Sequence, residues 1–198
     1  MTNLNSLSEI RDAVKTCRKC KLCNFRDKFV FAEGRNNAEI MLIGLSPGKE
    51  ENSTGKLFIG PSGSFLNELL ELTKLNRELL YITNIIKCHA PTYSIGREEI
   101  DTCAIYLDKQ IEIIKPRVII PLGSIATEYA LEKYSLPKKR ISEIHGQVFH
   151  AFIGDLFSES RNIKIIPMFH PAAALRTPEL SKLIKKDWKN LNFGEKID

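Results

Sequence analysis

The 198-residue sequence has no apolar run long enough to cross a bilayer. Its longest, such as Val118-Ile119-Ile120-Pro121-Leu122, fall far short of the roughly 20 residues a membrane helix needs. It also lacks internal repeats, low-complexity tracts and Gly/Ser-rich linkers, which argues against a repeat array or a chain of modules and predicts one domain over residues 1–198. Met1 to Asp12 mix polar and acidic groups, unlike a secretory signal, so a soluble, cytoplasmic protein is expected. Neither charge dominates: 29 Lys+Arg against 24 Asp+Glu leaves +5, a bias that permits a polyanionic partner without requiring one. Disorder is excluded by a 43% hydrophobic content with 10 Phe, enough to build a core at this length.

Cysteine is scarce and odd in number, which argues against a disulfide framework. Three of the five stand as C-x2-C-x2-C at Cys17, Cys20 and Cys23, with Cys88 and Cys103 far downstream. Two intervening residues let neighbouring thiolates converge from one turn of chain. Zinc and an iron–sulfur cluster are therefore both open, with His89 available to complete a zinc site.

Hydrophobic patterning predicts alternating strands and helices. Residues 39–44, 80–84, 118–123 and 163–168 read as short buried strands. Residues 7–16, 64–72 and 98–115 read as helices, the last stopped by Pro116, and a further helix opens at Ser124. Largely apolar strands between helices predict a single three-layer α/β/α domain around a mainly parallel, four-stranded sheet. Function in such sheets gathers where strands end. Three ends carry suggestive residues: Leu45-Ser46-Pro47-Gly48, Asn84 with Lys87-Cys88, and His170-Pro171.

Read in order, C-x2-C, G-x-x-P-G, F-x-G-x-x-G, I-T-N-x-x-K-C, a cysteine-bearing helix, L-G-x-x-A and M-F-H-P-A resemble the family 4, iron–sulfur uracil-DNA glycosylases. The likeness runs from Cys17 to about Trp188. It implies a [4Fe–4S] cluster on Cys17, Cys20, Cys88 and Cys103, with Cys23 spare. It implies that Phe58 stacks on an extruded uracil, that Asn84 reads the base edge, and that His170 donates to uracil O2 as the base leaves. Leu45, Pro47 and Gly48 would line the base site, and Lys87, Pro171, Ala174, Leu175 and Arg176 would meet DNA. The implied reaction is hydrolysis of the N-glycosidic bond in single- or double-stranded uracil-containing DNA. No membrane and no obligate protein partner are involved, and a monomer is expected.

The departures fall on the chemistry. Where family 4 has a glutamate in the first motif, this chain has Leu45, as the neighbouring family 5 glycosylases do; the aspartate expected after F-x-G in that family is Pro61. A water would then have to be held by Glu51 or Ser46. After H-P-A the chain reads Ala173-Ala174-Leu175-Arg176, which places a small residue at the wedge unless Leu175 takes that part. Residues 89–94 lack the family's P-x-N-R. Two functions follow: a glycosylase acting on uracil and other deaminated bases, or a catalytically weakened iron–sulfur protein that binds uracil-containing or damaged DNA.

Overall fold

A computed structural model of the chain describes residues 4–91, 95–153 and 161–191. Six strands form one mixed sheet: β1 (Ala32–Gly34), β2 (Ile40–Gly44), β3 (Tyr81–Asn84), β4 (Val118–Pro121), β5 (Phe149–Ile153) and β6 (Arg161–Ile165). Their spatial order is β1-β3-β2-β4-β6-β5. The four expected strands are the parallel interior, while β1 and β5 add antiparallel edges. The sheet therefore has six strands rather than four. Ala-Glu-Gly in β1 is too short and too poor in β-branched residues to read as a strand, and β5 alternates too weakly.

Among the described residues eight helices surround the sheet: α1 (Leu7–Thr16), α2 (Lys49–Thr54), α3 (Pro61–Thr73), α4 (Arg97–Ile114), α5 (Ser124–Lys133), α6 (Ile141–Ile144), α7 (Pro171–Arg176) and α8 (Pro178–Lys189). Their ends follow the sequence. Ser6 and Glu9 form a capping box on α1. Proline occupies the first position of α3, α7 and α8, where its missing N–H costs nothing. Among the described residues no helix is long and apolar enough to cross a membrane.

Period-two alternation splits even the all-apolar strand β2 between two cores. Met41 and Ile43 face α1 and α4 with Val14, Tyr81, Leu107 and Ile111. Ile40 and Leu42 face α3 and α8 with Leu66, Leu69, Ile184 and the fully buried Trp188. From β2 the chain moves to β3 on one side and then crosses to β4 on the other, so the strand order reverses at β2. The crevice at the carboxyl ends of β2 and β4 is where such sheets hold ligands.

Candidate functional site

Three side chains meet at that crevice, each with a glycine making room for it. Asn84 ends β3 in register with Gly44 of β2; a Cβ on Gly44 would lie 2.2 Å from Asn84 Oδ1 and 3.5 Å from Phe58 Cζ. Asn84 is 2% exposed, and its Nδ2 has no hydrogen-bond partner within the described fold. A buried amide donor left unpaired costs about 1–3 kcal/mol, so its retention points to a ligand. Phe58 sits at φ +47°, in the left-handed region that side chains rarely adopt. Its carbonyl backs onto Gly63, where a Cβ would approach to 1.8 Å. The Phe58 ring stacks on His170 with centroids 5.8 Å apart and planes 26° from parallel.

His170 caps α7: its Nδ1 accepts from the Ala172 N–H at 3.1 Å. That bond assigns the proton of the neutral ring to Nε2. Burial, and then the charge of Arg176, push the imidazole down to about 4. The ring is therefore a neutral N–H donor at physiological pH. Behind it, Gly123 (φ +89°) ends the β4 side of the crevice, where a Cβ would come within 3.2 Å of His170 Cβ.

Leu45 packs its side chain into the core on the α1/α4 side, and Ser46 lies half-buried on the turn after β2. Pro47 is buried and Gly48 exposed at the start of α2. Glu51, expected to hold a water, is already engaged. Its carboxylate accepts the backbone N–H of Gly48 at 2.5 Å and that of Phe58. Burial pushes its pKa up, with those two hydrogen bonds opposing. Glu51 is thus corrected from a water-holding base to a positioning residue that ties the turn after β2 to the strained Phe58. Glu51→Gln offers one acceptor oxygen where two N–H groups need one each. It should lower stability by about 1–3 kcal/mol in chemical denaturation; an unchanged midpoint would remove this role.

The DNA-facing expectations divide. Leu175 is 53% exposed and Arg176 is exposed, both on α7 near the crevice. Ala174 is 8% exposed and packs into the α3/α8 core, and Pro171 is buried at the first turn. Neither presents a surface to DNA, because α7 turns both inward. Lys87, expected at phosphate, is 1% exposed. Its Nζ donates to Thr83 Oγ1 (2.7 Å), Asn84 O (2.6 Å) and Gln110 Oε1 (2.6 Å). The ammonium spends all three donors inside the fold, which corrects the expectation and makes Lys87 a brace for Asn84. Residues 92–94 of the expected departure after Cys88 lie outside the described residues.

The cysteines gather on the other side of β3. Cys17 ends α1, Cys20 and Cys23 flank and enter the 3₁₀ turn Lys21–Phe25, Cys88 follows β3, and Cys103 lies on α4. All five line one cavity with Ile86, Tyr106 and Arg26. Cys23 directs its thiol to Asn24 Oδ1. Among the described residues no three His, Cys, Asp or Glu side chains come close enough to hold one metal ion. His89, the alternative zinc ligand, instead bonds Pro47 O through Nδ1 at 2.9 Å, tying the cysteine segment to the turn after β2.

Burial pushes Cys20, Cys88 and Cys103 up, the last to about 11, so these thiols need a positive partner to ionise. Arg26 supplies part of it, donating to Cys88 Sγ (3.5 Å) and to the last carbonyls of α1. The Lys87 N–H points at Cys103 Sγ (3.4 Å). Five thiols lining one apolar cavity, with N–H donors to Cys88 and Cys103, are the kind of donor set that a thiolate-bound cluster takes. Sequence reasoning missed Arg26 and the three glycines, and it placed His89 at a zinc site rather than on Pro47 O. Gly44 and Gly123, at strand ends, were the signal on offer, since Arg26 acts through partners 9 to 62 residues away.

The pattern of the uracil DNA glycosylase superfamily matches residues 31–192. A type-4 uracil-DNA glycosylase of Saccharolobus solfataricus is 38% identical over 190 residues, covering 95% of this chain and 86% of the relative. One of Sulfurisphaera tokodaii is 36% identical, covering 95% and 84%. One of Archaeoglobus fulgidus is 34% identical, covering 95% and 92%. Coverage of 95% of the chain must take in Cys17 to Cys23, which the superfamily pattern does not reach.

Proposed function

Since this chain belongs to the uracil DNA glycosylase superfamily, we propose that it is an enzyme that extrudes uracil from DNA and hydrolyses the bond between uracil N1 and C1′ of deoxyribose. The observation that carries this reading is the pairing of a buried, unpartnered Asn84 amide with a neutral His170 donor across one crevice. An amide can donate to uracil O4 and accept from N3–H, a pattern cytosine reverses. The base leaves the stack at a cost of a few kcal/mol and packs on Phe58. As the N-glycosidic bond lengthens, electrons move onto uracil, and the His170 Nε2–H stabilises the charge growing on O2. Water adds to C1′, its proton passes to solvent, and an abasic site remains. Leu175 is the exposed side chain suited to fill the gap left in the stack.

Residues 1–198 act in this reading as one glycosylase domain, a monomer of the cytoplasm, with the cysteine-bearing helix and loop built into it. Cys17, Cys20, Cys88 and Cys103 would hold a [4Fe–4S] cluster, Cys23 being turned to Asn24. When bound, the cluster supplies positive charge to four thiolates and braces the segments that carry Asn84 and His89; elemental analysis that finds iron without zinc in the purified protein would support it, and zinc without iron would overturn it.

A second reading rests on one specific observation. Leu45 cannot orient a water, and Glu51 is committed to two N–H groups. These favour a slowed enzyme or a binder of uracil-containing or damaged DNA, since one acid–base group contributes about 10²–10⁴-fold. The test is base release from single- and double-stranded oligonucleotides containing uracil or hypoxanthine, with wild type beside Leu45→Glu. Uracil release by wild type is expected, slower than by Leu45→Glu. Tight binding without release by wild type would leave the binder.

A further inference from the structure

A groove beside the catalytic crevice takes no part in base chemistry. Its floor is one face of α5, where Ser124, Glu128 and Leu131 recur at helical spacing, and its wall is the segment from Lys138 to Glu143. Ser124 adjoins Gly123, whose Cβ position lies 3.2 Å from His170 Cβ, so one end of the groove opens at the crevice. From there to Leu131 the groove runs about 10 Å along the helix. The wall is fixed at its far side: His145 Nδ1 bonds Asp187 Oδ2 (2.7 Å) and Gly146 N–H donates to Pro167 O (2.8 Å), on the stretch leading to His170.

Lys138, Lys139 and Arg140 are consecutive and exposed. Among the described residues none of them has an ion pair or side-chain hydrogen bond; Lys138 acts only through space, on Glu132. Most basic side chains with acids nearby are paired, as Arg97, Lys109 and Lys133 are. Three adjacent unpaired cations line a groove whose Ser124 end adjoins the Gly123–His170 contact, and they await an anion. Glu128 and Glu143 also line the groove and weaken its field, which places the anion toward the lysines.

We propose that this groove binds backbone phosphates of the DNA strand leaving the crevice, through Lys138, Lys139 and Arg140. The proposal rests on the glycosylase reading for its partner but not for its test. Full-length wild type, Lys138→Gln/Lys139→Gln/Arg140→Gln and Glu128→Gln/Glu143→Gln would be titrated with uracil-free and uracil-containing duplex over a range of salt. Lys74→Asn/Lys115→Asn serves as a charge control where the chain turns toward the opposite strand ends.

Each lost phosphate contact should flatten the log–log salt slope by about 0.9, so the basic triple variant should lose roughly 2–3 in slope and on the order of tenfold in affinity. Its kcat on saturating uracil DNA should stay at the wild-type value. The glutamate pair should shift affinity the opposite way, an outcome that disruption of the fold would not produce. An unchanged slope in the triple variant, or an equal loss in the control, would overturn the groove. Absence of uracil release by wild type would instead sink the glycosylase reading, while a flattened slope on uracil-free duplex would leave the groove standing.

Discussion

His170→Ala is expected to slow uracil release by about 10²–10³-fold, the usual cost of one transition-state donor in a water-excluded site. Affinity for uracil-containing DNA should change far less. The donor matters most once charge has reached O2, so the loss should appear in the single-turnover rate. The fold makes His170 suited to this part in two ways. The Ala172 N–H occupies Nδ1, leaving Nε2 as the ring's N–H. Burial holds the ring neutral, and a neutral donor avoids stabilising ground-state phosphates that it would otherwise attract. Single-turnover excision at wild-type rate by His170→Ala would remove the residue from the mechanism.

The same burial sets a pH dependence. A histidine in an unfolded chain titrates near 6.5, and here it is held down to about 4. Above about pH 6.5 the ring is neutral in both states and its titration affects neither stability nor rate. As pH falls from 6.5 toward 4, the unfolded chain takes up a proton that the folded one refuses. Stability is therefore lost on acidification, by roughly 3 kcal/mol in full. His170→Ala should remove this component from the acid limb of the denaturation profile. In wild type the rate should show no His170 titration between pH 5 and 8.

How much of this was legible without coordinates depended on the range of each interaction. The parallel interior was readable because β2 and β4 are continuous apolar runs and β3 is rich in β-branched and aromatic residues, ending at glycine, proline and asparagine. The edge strands were not, since β1 exists only by pairing with β3, and Ala-Glu-Gly has no preference of its own. Phe58, Asn84 and His170 could be picked out because each lies in a recognisable motif, and the fold brings them together. The fates of Lys87 and Glu51 could not be read. A lysine beside Asn84 looks like a phosphate ligand until Thr83 and Gln110 are seen to enclose it. A glutamate three residues after Gly48 looks catalytic until its second oxygen is found on the Phe58 N–H. Both outcomes hinge on which groups the fold closes around each side chain, Gln110 of α4 for Lys87 and the Phe58 N–H for Glu51, which single-residue chemistry does not specify.

Asn84→Ala should lower the rate of uracil excision by at least about 10³-fold, approaching the roughly 10⁴–10⁵ by which sites built to hydrogen-bond a substrate reject a missing partner. Stability should fall little. The amide donor it removes is unpaired in the fold, so the cost of the small cavity is partly offset by relief of a buried unsatisfied group. An activity loss this large beside a small shift in melting temperature separates a reading residue from a structural one. Gly44→Ala supplies an independent check, because it takes away no functional group. The new methyl would sit 2.2 Å from Asn84 Oδ1, so the amide must swing out of register or β2 must part from β3. Excision should then fall toward the level of Asn84→Ala. Combining the two should cost little more than either, as expected when both act through one amide. If Asn84→Ala alone were to retain wild-type excision, the base would be read elsewhere and the unpaired amide would have no ligand to account for it.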